Sequence, residues 1–208
     1  MLEPLTLALL CGFAFVAGFI DAIVGGGGLV QLPALLVLLP HQAIPLIFGT
    51  NKCSSIAGTA MATWRYSREV RVDWRVIGPA AAVAFLFAFL GSRAVSLLNP
   101  AILRPLILAL LVIVAIYVFL ARNTGMIHQP KHPHERARWF GLLTGATLGF
   151  YDGFFGPGTG SFLIFIFVGF FGFDFIFASA SAKVINLGTN LASVIYFCLL
   201  YTSDAADE

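Results

Sequence analysis

The chain has 208 residues, of which 59% are hydrophobic and 11% charged, with a formal net charge of +2. Soluble domains run near a quarter charged, and the apolar runs here recur along the whole length, so the composition excludes both a soluble globular domain and a soluble domain on a single anchor. No basic face interleaved with aromatics points to nucleic acid, and Cys11, Cys53 and Cys198 are too few and too scattered for a disulfide framework or a metal knuckle.

Met1-Leu2-Glu3-Pro4 carries no basic n-region, so the first apolar stretch reads as a retained membrane segment. Leu5 to Leu39 is too long for one straight crossing. A helix over about 5–24, a non-helical break at 25–28 and a short second piece make either one broken crossing or a re-entrant hairpin. Ile44 to Trp64 follows, rich in the small residues that let helices approach closely. Arg65, Arg68, Arg71 and Arg75 mark a polar loop. Val76 to Leu98 and Ala101 to Ala121 are plain apolar helices joined at Asn99-Pro100, and 122–138 is a hydrophilic linker. Trp139 to Phe155, Phe162 to Phe171 and Ile176 to Phe197 then replay the opening pattern. The 21 Phe residues read as lipid-facing or helix-packing bulk.

The replay has a fixed offset. Gly18-Phe19-Ile20-Asp21 before Gly25-Gly26-Gly27-Gly28 recurs 131 residues later as Gly149-Phe150-Tyr151-Asp152 before Gly156-Pro157-Gly158, and Lys52 recurs as Lys183. The fold class expected is all-α: a polytopic transmembrane helical bundle of two repeats of about four helices, with glycine-broken segments and about six crossings in this chain. The first repeat covers 1–121, the linker 122–138, and the start of the second repeat 139–197. The loops at 65–75 and 122–138 hold most of the Lys and Arg and are two crossings apart, which places both on one, cytoplasmic, side. An even number of crossings in the first half would then set the repeats parallel.

Residues 198–208, running from Cys198 to Glu208, change abruptly from an apolar helix to a small acidic tail and resemble a translated transposon adapter used in preparing sequencing libraries. On that reading the native sequence stops near Phe197. Phe197 corresponds to Tyr66, after which the first half continues through two more apolar segments, so about two helices of the second half are expected to be missing.

Charges and glycine breaks inside apolar segments are costly unless they line a protected cavity. Gly25, Gly27, Gly156 and Gly158 free backbone N–H and C=O groups and let the chain take positive φ. A half-helix starting after such a break aims N–H donors and a positive dipole end at the gap, which suits an anion. The alternative is a glycine-mediated helix crossing. Lys52 and Lys183, each after small residues in an apolar segment, attract an anion or else neutralise a neighbouring carboxylate. Asp21 and Asp152 stand one helical turn before the breaks, placed to pair with the lysines, cap the broken backbone or carry a coupling proton. Asn51 precedes Lys52, while Lys183, Asn186 and Asn190 share one helix face; these asparagines hydrogen-bond an oxyanion or bind helices together. His128, His132 and His134 read as part of a solvated connector rather than a metal cluster. No metal, cofactor or nucleotide-binding signature stands out.

Taken together, "GFIDAIVGGGGLVQLP", "GTNKCSSIAGT", "GFYDGFFGPGTGSF" and "ASAKVINLGTNLAS" resemble the sulfite exporter TauE/SafE family, also called the TSUP family of probable membrane transporters, over about residues 5–197. The resemblance implies a multi-pass bacterial inner-membrane protein of two four-helix repeats that moves sulfur-containing anions such as sulfite, sulfonates, sulfoacetate or thiosulfate. It carries site roles onto Gly25, Gly27, Asn51 and Lys52, and onto Asp152, Gly156, Gly158, Lys183, Asn186 and Asn190. The reading is a secondary transporter, not an enzyme, with a small anion and the lipid bilayer as partners; a homo-oligomer remains open. The rivals are an intramembrane sulfur-handling enzyme or accessory protein, for which Cys53 is the candidate thiol, and an anion channel.

Overall fold

The computed structural model describes residues 3–120 and 129–204, without the side chains of residues 23, 24, 100, 104 and 200–204. Described residues are helical or in short connections: α1 Pro4–Val24, α2 Gly28–Leu38, α3 Ile44–Glu69, α4 Trp74–Ser96, α5 Pro100–Leu120, α6 His134–Phe154, α7 Thr159–Ile166, a π-helical turn Phe167–Phe171, and α8 Phe175–Asp204. Within α1, α4, α5 and α8 lie stretches long and apolar enough to cross a membrane. The 26-residue α3 and 21-residue α6 have the length but carry buried polar groups, Asn51 and Lys52 on one and Asp152 on the other. At 1.5 Å per residue each of these six helices is at least about 30 Å long, the thickness of a hydrocarbon core. Residues 121–128, including Arg122 and His128 of the expected linker, lie outside the described part, as do 205–208 of the tail.

α2 and α7 begin at Gly28 and Thr159, and α3 and α8 at Ile44 and Phe175, both pairs 131 residues apart. Their directions correct one expectation. Gly49 abuts Phe197, Thr59 meets Asn190, and the Thr63 hydroxyl donates to the Lys183 carbonyl at 3.1 Å. As the numbering rises along α3 it falls along α8, so the corresponding helices run antiparallel, and a parallel arrangement of the halves does not hold. The cause is α2. It is not the continuation of a broken crossing but folds back along α1, where Gly27 lies against Ala17 and Asp21. Each such hairpin adds a reversal that a count of apolar segments misses. The expectation that the two basic loops share one end does hold, for Asp73 before α4 meets His134 at the start of α6, with Nε2 3.2 Å from Oδ2.

The most extensive contact joins α4 and α6. Gly141, Gly145, Gly149 and Gly153 recur every fourth residue and lie against Val76, Ala80, Ala84 and Ala88 in the same order. A Cβ on Gly149 would stand 2.5 Å from the Ala84 carbonyl oxygen, and Cβ atoms on Gly145 and Gly153 would meet the carbonyls of Ala80 and Ala88. In lipid there is no hydrophobic drive between helices, so close backbone approach of this kind is what holds them. Phe155, Phe167, Phe171 and Phe197 fill the interior, while Phe15, Phe19 and Phe119 stay on the exterior.

Candidate functional site

α1 and α6 both stop where glycine takes the left-handed conformation. Gly25 has φ +74 and Gly156 φ +94, and Gly158 follows at φ +85. Gly27 differs, with φ −55, and is glycine for another reason, because a Cβ there would run into the Ala17 carbonyl. The breaks cross each other in contact. A Cβ on Gly25 would lie 2.7 Å from the Gly160 carbonyl carbon, and one on Gly28 3.2 Å from the Pro157 Cα. The αL strain alone costs about 1–2 kcal/mol for a residue with a side chain. Gly25→Ala is therefore expected to destabilise the protein by more than that strain, since Gly160 is backbone and cannot swing away, and so to lower the unfolding midpoint in detergent. An unchanged midpoint would show that the breaks do not touch.

The charged residues pair across the halves. Lys52 of α3 donates from Nζ to Asp152 Oδ2 of α6 at 2.7 Å. Lys183 of α8 donates to Asp21 Oδ2 of α1 at 2.7 Å and to the Asp21 main-chain oxygen at 2.6 Å. Both lysines and Asp152 are 2% exposed, and Asp21 is 19% exposed. The four charges sum to zero, so the lysines are not free cations waiting for an anion; of the two open readings, neutralisation of a carboxylate describes this state.

A small cavity sits where the breaks, α3 and α8 meet. It is lined by Gly25, Asn51, Lys52, Gly156, Gly158, Asn186 and Asn190 among the expected site residues, with Asp21 and Asp152 beside them. Gly27 and Lys183 are not part of this wall, while Gly28, Ser55 and Gly160 join it. Its volume is about 20 Å³, room for roughly one water molecule, so this conformation leaves no space there for an anion of several atoms. The Asn51 side-chain oxygen is buried without a hydrogen-bond partner, while Asn190 reaches Thr59 and Asn186 only at 3.5 Å. Such polar groups are under-used by the protein itself.

Two supports escaped the sequence reading. The Tyr151 hydroxyl donates to the Pro157 carbonyl at 2.8 Å, and the Thr159 hydroxyl to the Gly156 carbonyl at 2.7 Å. Both satisfy backbone oxygens freed by the second break, and their adjacency to Asp152 and Gly158 was the available signal. Elsewhere His132 packs on Phe140 and Phe170, and among the described residues no cluster has the makings of a metal site. Cys53 is exposed, away from the cavity wall.

A family model for sulfite exporter TauE/SafE matches residues 10–206. The chain belongs to the sulfite exporter TauE/SafE family. It is similar to a probable membrane transporter of Haemophilus influenzae, 38% identical over 93% of this chain and 74% of that protein. It is also similar to probable membrane transporter protein ORF9 of a Sinorhizobium species, 37% identical over 90% of this chain and 70% of the relative. Probable membrane transporter protein YfcA of Escherichia coli K12 is 33% identical over 96% of this chain and 72% of its own length. No solved structure matches. The TauE/SafE match and these relatives make the chain a multi-pass membrane transporter rather than an enzyme. Part of the 198–208 segment falls within the TauE/SafE match and within α8.

Proposed function

We propose that this TauE/SafE protein is an inner-membrane secondary transporter that moves a small sulfur-containing anion of the sulfite, sulfonate, sulfoacetate or thiosulfate type through the cavity between the two glycine breaks. The observation that carries the reading is the crossed pairing of Lys52 with Asp152 and Lys183 with Asp21 beside that cavity. Discontinuous helices from two related halves, meeting at a polar site, are the construction many secondary transporters share. The repeat boundaries are those of the sequence, with 1–121 and 139–197 as the two halves.

A lysine–carboxylate pair has little long-range pull on an anion, so binding is an exchange. The oxyanion takes the place of the carboxylate at the ammonium group, and Asn51, Asn186 and Asn190 supply amide donors. The displaced Asp21 or Asp152 then takes up a proton or turns to the backbone of the break. Asp21 already approaches one such donor, with the Gly27 N–H 3.4 Å from Oδ1. Where the displaced acid takes up the proton, the exchange ties one proton to one anion and makes that acid the coupling group. A cavity of about 20 Å³ favours alternating closure over an open channel.

Removing a lysine alone would strand its acid, so the test uses neutral pairs: Lys52→Met with Asp152→Asn, and Lys183→Met with Asp21→Asn. Losing a charged hydrogen bond to the solute is worth about 1.5–3 kcal/mol, or tenfold and more. Saturable uptake of radiolabelled sulfite or a sulfonate into proteoliposomes is expected to fall by that factor in each double variant. Uptake at the parent level in both would defeat the lysine role, and uptake that never saturates would point to a channel.

A further inference from the structure

The two ion pairs match in sequence and differ in setting. Lys52 and Asp152 both form part of the cavity wall, and Lys183 does not. A Cβ on Gly156 would stand 3.0 Å from Lys52 Nζ, so this ammonium group lies against the second break, where Gly156 and Gly158 take positive φ. The Asn51 side-chain oxygen, buried without a hydrogen-bond partner, belongs to a residue of the same wall. Lys52 meets Asp152 through Oδ2 at 2.7 Å, side chain to side chain. Lys183 is held differently. It donates to Asp21 Oδ2 and also to the Asp21 main-chain oxygen, the same oxygen that accepts the Gly25 N–H at 3.0 Å where α1 ends. The other carboxylate oxygen of Asp21 stands 3.4 Å from the Gly27 nitrogen. One pair faces the cavity, and the other is tied into the backbone of the first break.

We propose that only the Lys52–Asp152 pair opens to the solute, that Lys183–Asp21 stays shut as a clamp on the first break, and that the site therefore selects a singly charged oxyanion head, hydrogen sulfite or a sulfonate, over a doubly charged one such as thiosulfate. The inference rests on the transport reading and deepens it. An oxyanion that reaches Lys52 replaces the one hydrogen bond that Asp152 gives up. At Lys183 it would also have to replace the contact with the Asp21 main chain, at the oxygen that closes α1. Charge then follows from counting. The four groups sum to zero, a single anion brings one negative charge, and one proton taken up by the freed Asp152 restores neutrality. A dianion would leave one charge uncompensated in a buried site, which is costly. Two pairs that both opened would free two acids and accept two charges, so the number of exchangeable pairs sets the charge of the solute. Asn51, Asn186 and Asn190 line the same cavity and offer amide donors to one oxyanion head without adding charge.

The test measures initial uptake of radiolabelled methanesulfonate into proteoliposomes over a range of concentrations. Lys52→Met with Asp152→Asn is expected to raise KM about tenfold or more, the worth of a charged hydrogen bond to the solute. Lys183→Met with Asp21→Asn is expected to leave KM within about twofold of the parent and to lower the maximal rate instead, because the clamp and not the solute contact is lost. Unlabelled competitors then read the charge. Ethanesulfonate, singly charged, is expected to compete at concentrations about tenfold or more below those needed for sulfate or thiosulfate, which are doubly charged. The second variant pair is expected to keep that preference in whatever uptake remains. An equal rise of KM in the two variant pairs, or sulfate and thiosulfate competing as well as ethanesulfonate, would overturn this inference and leave the transport reading standing. A parent protein with no saturable uptake would overturn both. The competition series needs no substitution, so it decides even where neither double variant purifies.

Discussion

Gly149→Leu is expected to prevent stable folding, whereas Gly12→Leu leaves the protein at least as stable as the parent. Both replace a helical glycine in an apolar segment, and helix propensity favours both changes by somewhat under about 1 kcal/mol. They differ in what the new side chain meets. At Gly149 the nearest atoms to a Cβ are the carbonyl oxygen, Cα and carbonyl carbon of Ala84, at 2.5, 2.6 and 3.0 Å. All belong to backbone in the middle of α4 and cannot rotate out of the way. Overpacking by single methylenes costs about 1–3 kcal/mol, and a leucine adds four carbons where even the first does not fit. α4 and α6 must separate, and the contacts of Gly145 with Ala80 and Gly153 with Ala88 go with them. Unfolding by heat or by sodium dodecyl sulfate in mild detergent, with size-exclusion chromatography, reads the difference. A Gly149→Leu protein that stays monodisperse at the parent midpoint would mean that these helices do not meet through this stripe. Ala84→Leu, on the opposite side of the same contact, is expected to fail in the same way.

That stripe was open to view in the sequence and was not used. Gly141, Gly145, Gly149 and Gly153 stand at four-residue spacing, as do Ala80, Ala84 and Ala88, and small residues so spaced mark helix contacts in membranes. The glycine breaks and the buried charges were legible because hydrocarbon makes both costly, so Gly25, Gly156, Lys52 and Lys183 announced themselves one at a time. Pairing was not legible. Two lysines and two acids allow Lys52 to meet either Asp21 or Asp152, and nothing in spacing separates a near partner from one 100 residues away. Chain direction failed for a related reason. Gly25–Gly28 reads the same whether the following helix continues across the membrane or turns back, and the deciding contact, Gly27 on Ala17 and Asp21, is tertiary.

The crossed pairing makes the second large prediction. Asp152→Asn is expected to cost about 3–5 kcal/mol, the range for removing one partner of a buried ion pair. Lys52 is 2% exposed, and Asp152 is its only charged partner among the described residues. The loss leaves a buried ammonium group without its counter-ion. Asp21→Asn is expected to cost less, because Lys183 keeps the Asp21 main-chain oxygen at 2.6 Å and the site is partly open. Lys52→Met added to Asp152→Leu is expected to restore most of the loss, since an apolar pair of similar volume removes the stranded charge along with its partner. A double-mutant cycle then decides the geometry. Lys52 should couple strongly to Asp152 and weakly to Asp21, and Lys183 the reverse, because contacting residues show interaction energies while distant ones add. Coupling of Lys52 to Asp21 instead would dissolve the crossing. It would also remove, from the exchange proposed above, the link by which an anion arriving at a lysine of one half releases an acid of the other.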